Sequence, residues 1–281
     1  MTYTTGAPWH QGKHRTPVSP GSGDDKPTAG MKESHMRTVQ RNRATFPAST
    51  ETRQIRRYDI AALMDDGSTQ YLEHKAPADL YLEDVCANLA RGSMLSTEAG
   101  QTAVEDLQPG DMVKTRDSGF LPVRWISSCS LGVDADDEVS DSWPLRLRAD
   151  ALGELRPLQD LIVSPRFRVL TNHPSCAALF GSSETLAPAS DLLDGDTVMR
   201  VRPSRDLVFY NLMLDSHQII EANGLETESY HPGNFGVAVM SLEMQTHLRH
   251  LFPHLSGDLN RFGRSIRPIL KGFEAEVLRV G

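Results

Sequence analysis

Cysteine is scarce in this chain of 281 residues: only Cys86, Cys129 and Cys176 occur. An odd number without close spacing argues against a disulfide framework and a cysteine-rich zinc site. A reducing compartment is the natural setting for such a chain. Basic charge is short as well, with 29 Lys and Arg against 37 Asp and Glu, a net charge of −8. A dedicated nucleic-acid binder usually carries a basic domain, so no nucleic-acid partner is expected. No apolar run approaches the roughly 18 residues that span a bilayer, so no membrane partner is expected either. The first 30 residues are polar and lack the apolar segment of a signal peptide. The expected location is therefore cytoplasmic, with export by a signal-less route left open.

What is present is apolar mass and turn residues. Hydrophobic residues make up 39%, enough to bury a core, and 17 Pro with 21 Gly suit a turn-rich β chain. The length fits one good-sized domain with appendages, or two small ones. Residues 1–55 are rich in Gly, Pro, Ser, Thr, His and basic side chains, with Trp9 and Phe46 among their few large apolar groups. Such a stretch cannot bury enough surface to offset its ordering entropy. A disordered N-terminal arm is expected, weakly basic at most. Residues 56–87 form a short lead-in: 56–66 as strand or short helix, a turn at Asp65-Asp66-Gly67-Ser68, and 69–87 as extended structure or helix.

From Asn88 to Gly233 short apolar runs recur between turn residues. Strands are expected at 93–97, 112–115, 122–127, 145–149, 161–163, 167–170, 208–214 and 218–220. Leu107-Gln108-Pro109-Gly110-Asp111 and Asp117-Ser118-Gly119 turn between them. Residues 132–142 are acidic and Ser-rich, as in a surface loop, and Asn223-Gly224 is a two-residue hairpin turn. Many short strands with close turns mean an all-β domain. Over 234–281 the period becomes helical. Leu242, Met244, Leu248, Leu251 and Phe252 share a face ended by Pro253, and a second helix is expected within 260–278, with Ile269, Leu270, Phe273 and Val277 on one side.

Four blocks taken in order resemble one family. Ala90-Arg91-Gly92-Ser93-Met94-Leu95 with Val104-Glu105-Asp106-Leu107-Gln108-Pro109-Gly110-Asp111 looks like the opening of a bacterial Hint (Hedgehog/intein) domain. Pro122-Val123-Arg124-Trp125-Ile126 fits its next strand. Leu161 to Leu170 resembles its central block, and Asp215 to Tyr230 its closing block. Leu251-Phe252-Pro253 and Arg267-Pro268 are similar to the C-terminal extension of the same bacterial group. No single motif is specific, but the order of four is. The resemblance implies an all-β, horseshoe-like, pseudo-symmetric fold with its chain ends meeting near one site, here with a small α-helical C-terminal appendage.

In the family, a leading Cys or Ser attacks the carbonyl just upstream, and a Thr/Ser-x-x-His block protonates the departing amide nitrogen. In the intein branch a terminal Asn then cyclises. Carried onto this chain, the nucleophile position falls on Asn88, whose carboxamide cannot make the acyl shift. The histidine position, at the end of Ser164-Pro165-Arg166-Phe167, falls on Phe167, which cannot carry a proton. Cys86 lies two residues before Asn88. In a strand it would share that residue's face at roughly 6–7 Å, and serve as nucleophile only after a register slip. Its simpler reading is a small buried apolar group. His173, in Asn172-His173-Pro174, reads as an exposed or locally bonded loop histidine. His217 matches the closing block and has two readings, a proton-transfer group near the cleft or a structural histidine on a hairpin.

Loss of two groups in separately anchored blocks favours a degenerate, cleavage-deficient Hint module that binds or supports. Its partner would be a protein or its own N-terminal segment. A working autoprocessing domain is the alternative, using Cys86, Ser93 or a hydroxyl near 85–95 and splitting near Val85-Cys86 or Ala87-Asn88. A conventional hydrolase or metalloenzyme is the third. No Gly-x-Ser-x-Gly, His-Glu-x-x-His or phosphate loop occurs. His247 and His250 could share a helix face near His231 and His254, yet no carboxylate or Cys matches them, so neither cofactor nor metal is expected.

Overall fold

Polar and apolar residues alternate from Arg57 to Ile60, and the computed structural model extends this into a strand that buries Tyr58, Ile60 and Ala62 on one face. Residues 54–132, 141–232, 240–271 and 274 are described. The arm expected to be disordered, as far as residue 53, and most of the 132–142 loop lie outside them. β1 (Ile55–Leu63) pairs antiparallel with β2 (Thr69–Pro77), Leu63 opposite Thr69. Their turn closes through Asp66, whose Oδ1 accepts from the Ser68 amide at 2.9 Å.

The lead-in then changes type. Asp79 caps a helix, its Oδ1 accepting from the amides of Tyr81 (2.9 Å) and Leu82 (3.3 Å). α1 (Leu80–Cys86) turns Leu82, Val85 and Cys86 inward, each large apolar side chain so buried contributing roughly 1.5–3 kcal/mol. It stops at Ala87 because the next amide, that of Asn88, donates to Tyr210 O at 3.0 Å in a sheet.

That sheet has eight strands. In spatial order they are β13 (Val198–Arg200), β9 (Leu145–Leu147), β10 (Leu161–Val163), β3 (Leu89–Ala90), β14 (Leu207–Met213), β8 (Trp125–Leu131), β1 and β2. β3 is therefore central, with Val163 opposite Leu89 on one side and Tyr210 opposite it on the other. The second sheet runs β12 (Glu184–Pro188), β11 (Arg168–Asn172), β16 (Leu225–Glu228), β15 (Ile219–Ala222), β4 (Met94–Thr97), β6 (Met112–Thr115) and β7 (Gly119–Pro122). β5 (Gly100–Ala103) lies beside β4. Both sheets are antiparallel throughout the named pairings, so the architecture of the described residues is all-β with short helical appendages. Leu89, Val163, Phe167, Leu212, Ile220 and Leu225 belong to a core that joins both sheets.

Between β15 and β16 the turn needs positive φ at both central residues, and Asn223 (49°) and Gly224 (79°) supply it. At Gly224 a Cβ would lie 2.9 Å from the carbonyl oxygen of Leu155, so only glycine fits there. Asn223 Oδ1 also accepts from the Met94 amide at 2.7 Å. Structural duties account for this pair.

α2 (Pro174–Phe180) is capped by His173, whose Nδ1 accepts from the Ser175 amide at 3.2 Å. α3 (Leu242–Leu251) is capped by Ser241 and ends before Pro253, as its spacing predicts. Leu251 O accepts from Trp125 Nε1 at 2.6 Å, which ties α3 to β8. The second helix expected within 260–278 does not form over the described residues. A short 3-10 turn at Leu259–Phe262 ends at Gly263 (φ 74°). The chain then runs extended along β12, where Leu186 donates to Pro268 O and Leu270 to Leu186 O, both at 2.8 Å. Pro268 has no amide to donate, and it pushes Arg267 out of the helical region. Phe273 and Val277 of that expected helix lie outside the described residues.

Candidate functional site

Asn88 sits where α1 hands the chain to the central strand of the first sheet. Its amide donates to Tyr210 O at 3.0 Å and its carbonyl accepts from the Ser164 amide at 2.9 Å. The Ser164–Phe167 block is thus brought directly beside Asn88, the residue that the sequence resemblance places at the nucleophile position. Phe167 folds back, its amide on Ser164 O at 3.2 Å, and its carbonyl accepts from the Ala189 amide at 2.7 Å. Its ring is wholly buried with Leu89, Val163 and Val169. At the position that the sequence resemblance assigns to the histidine, this chain has hydrocarbon packing.

Cys86 departs from its expected setting. It is the last residue of α1, not a strand residue sharing a face with Asn88, because the Asp79 cap and packing of Leu82 and Val85 carry the helix to it. The thiol is fully buried, and burial pushes it up to about 12. At neutral pH the thiolate fraction is then on the order of 10⁻⁵. Upstream carbonyls are held as well. Asn211 Nδ2 donates to Val85 O at 2.9 Å and Ser127 Oγ to Cys86 O at 3.4 Å. Ser93 is occupied too, its Oγ donating to Ala90 O at 2.7 Å in a tight turn.

His217 lies elsewhere, its side chain entirely buried. Nδ1 accepts from the Ile266 amide at 3.1 Å. Nε2 is 3.0 Å from Glu228 Oε2, an ion contact off the hydrogen-bonding direction. The ring stacks on His231 at 4.7 Å. Arg168 extends the cluster, its Nε 2.5 Å from Glu228 Oε1 and its Nη2 donating to His231 O at 2.9 Å. Burial, and next the neighbouring His217, lower the pKa of His231. Both ring nitrogens of His217 thus face protein groups, the Ile266 amide and the Glu228 carboxylate.

Sequence reasoning missed Asp84 and Arg166. They share a cleft of about 500 Å³ with Leu80, Ala87, Ser164 and Asp191, between α1 and the turn after β10. Burial pushes the Asp84 carboxyl up to about 6, against the pull of Arg166 and Arg168 and with help from Glu228. The Arg166 guanidinium is 3.7 Å away, an ion contact longer than a hydrogen bond. Ser164 is almost fully buried and its Oγ has no hydrogen-bond partner among the described residues. Arg166 stood inside the block that resembled the family. Asp84 had no sequence signal, since its burial comes from packing of α1.

Among the described residues, no group of three or more His, Cys, Asp or Glu is disposed to hold a metal ion. Among the same residues no helix is long and apolar enough to cross a membrane.

Comparison with known proteins gives a match of the Hint domain family model to residues 87–234. A bacterial intein-like domain from Clostridium thermocellum, solved in solution, is similar at 12% identity and a TM-score of 0.36. The match covers 52% of this chain and 99% of that one. No curated protein matches the chain.

Proposed function

The chain belongs to the Hint domain family, and we propose that it is a member whose self-cleaving chemistry has lapsed, its frame kept as a binding module. Phe167 carries this reading. Its ring fills the core beside Asn88, so a proton donor at that position would have to displace hydrocarbon packing. Asn88 adds to it, since a carboxamide nitrogen is a poor nucleophile and cannot leave an ester or thioester behind. In this reading residues 56–87 lead in, 88–233 form the module and 234–281 extend it. Three free, buried cysteines accord with a reducing, cytoplasmic setting.

Self-cleavage through Cys86 would need a thiolate that burial suppresses. Intact mass of the freshly purified full chain decides between the two, after incubation at neutral pH with and without a strong thiol or hydroxylamine. The expected result is one unchanged species of 31.1 kDa. A thiol-dependent split between residues 85 and 93 would overturn the proposal and identify the nucleophile.

A further inference from the structure

We propose that the cleft between α1 and the Ser164–Arg166 turn receives a lysine side chain of a partner polypeptide, its ammonium held by Asp84 and Ser164. This rests on the reading of the chain as a binding module that no longer cuts itself.

The shape of the cleft suits a thin apolar stem with a charged tip. Leu80, Ala87, Leu131 and Pro165 line it with hydrocarbon, as the butyl chain of a lysine requires. Its charge suits a cation. Among the described residues, four carboxylates (Glu83, Asp84, Asp141 and Asp191) face two guanidiniums (Arg166 and Arg200). Three of these six are held in close pairs: Glu83 with Arg56 at 2.6 Å, and Arg200 with Asp141 at 2.9 Å. Asp84 has the half-exposed Arg166 at the longer distance of 3.7 Å.

Ser164 is the independent observation. It is 2% exposed, it lines the cleft, and its Oγ finds no partner among the described residues. A buried hydroxyl is nearly always hydrogen-bonded. An ammonium has three donors and no acceptor, so it can serve the Ser164 oxygen and the Asp84 carboxylate together. The pKa of Asp84, raised to about 6, points the same way: burial outweighs the pull of Arg166 and Arg168 on the ionised carboxyl. A buried carboxyl in a cleft with a raised pKa is a candidate binding group.

The test uses the full chain and an acetylated, amidated tetralysine peptide, followed by calorimetry at pH 7.5 and moderate salt. Controls are the same peptide acetylated on every side chain and a tetraglutamate peptide. Saturable binding of tetralysine alone is expected. Asp84→Asn and Ser164→Ala should each weaken it at least tenfold, while Glu243→Gln, far out on the exposed face of α3, leaves it unchanged. Circular dichroism confirms that each variant is folded. Equal binding by both cleft variants would overturn the inference, as would equal binding of the acetylated peptide or no saturable binding up to millimolar peptide. Intact mass of the same samples keeps the two readings apart. Fragments would sink the parent reading, whereas an intact chain indifferent to lysine sinks this one alone.

Discussion

A carboxyl in the wall of an apolar cleft loses part of its hydration, and Asp84 shows the consequence. Burial raises its pKa to about 6 from an ordinary 3.8. Above pH 6 the group is ionised whether the chain is folded or not, and the fold carries the full penalty. As pH falls from 6 to 4 the folded protein takes up the proton first and the penalty fades. Below 4 both states are protonated and nothing remains of it. Asp84→Asn should therefore raise stability at pH 7.5 by about 1–3 kcal/mol, allowing for partial solvent access to the carboxyl. The gain should shrink to about a third of that by pH 4.5, read from urea midpoints at the two pH values. A gain undiminished at pH 4.5 would mean that packing rather than charge was responsible. Legibility at this scale follows covalent neighbourhood. Ser164 and Phe167 could be singled out because they sit in a short block that resembles the family, and Asn88 because it lies two residues before another. Asp84 was not, because a charged residue on a surface helix and one on a cleft wall look alike until the helix is docked.

Elements add a second kind of dependence, since α3 and the turn after it close the face of the first sheet that β1 and β8 offer. Phe252 lies at the centre of this closure. Its ring is 4.6 Å from that of Trp125, 5.4 Å from Tyr230 and 4.9 Å edge-on to Phe262. All four belong to the core that α1 also joins. Phe252→Ala should cost about 3–5 kcal/mol, in the range of large-to-small core changes. Near-ultraviolet dichroism should show loss of the Trp125 environment in the same transition as the backbone signal. A separate, earlier transition of the tail would show instead that α3 is an independent layer. α3 was legible because its cap, its apolar spacing and Pro253 agree. α1 was left open between strand and helix, because a seven-residue element owes more to the Asp79 cap and to packing than to periodicity. The extended run at 263–271 was read as helix because Ile269 and Leu270 have helical spacing to Phe273. Pro268 and the open edge of β12 decided otherwise.

Across the whole molecule, buried histidines and the buried Asp84 titrate in the same interval with opposite signs. His254 is 3% exposed, and neither ring nitrogen has a hydrogen-bond partner among the described residues. Burial, then Arg124 and Arg261, bring its pKa down to about 4, with Asp65 opposing. His231 and His74 are lowered as well, first by burial and then by neighbouring histidines. A histidine kept neutral by the fold contributes its stability in full above the unfolded value of 6.5. That contribution is lost as pH falls from 6.5 toward the folded value. For His254 alone the loss amounts to roughly 3 kcal/mol at most. Relief at Asp84 offsets part of this between pH 6 and 4, so the acid limb of the natural chain is shallower than its histidines alone would make it. Two variants separate the opposing contributions. His254→Leu keeps the volume and removes two unpaired polar atoms, so at pH 7.5 it should be neutral or slightly stabilising. By pH 4.5 it should exceed the natural chain by about 2–3 kcal/mol. Asp84→Asn should steepen the acid limb. Urea midpoints at half-unit steps from pH 7.5 to 4.5 give both slopes. Parallel profiles for His254→Leu and the natural chain would show that His254 stays neutral through the fall in pH by another means, and that acid sensitivity lies with His231 and His74.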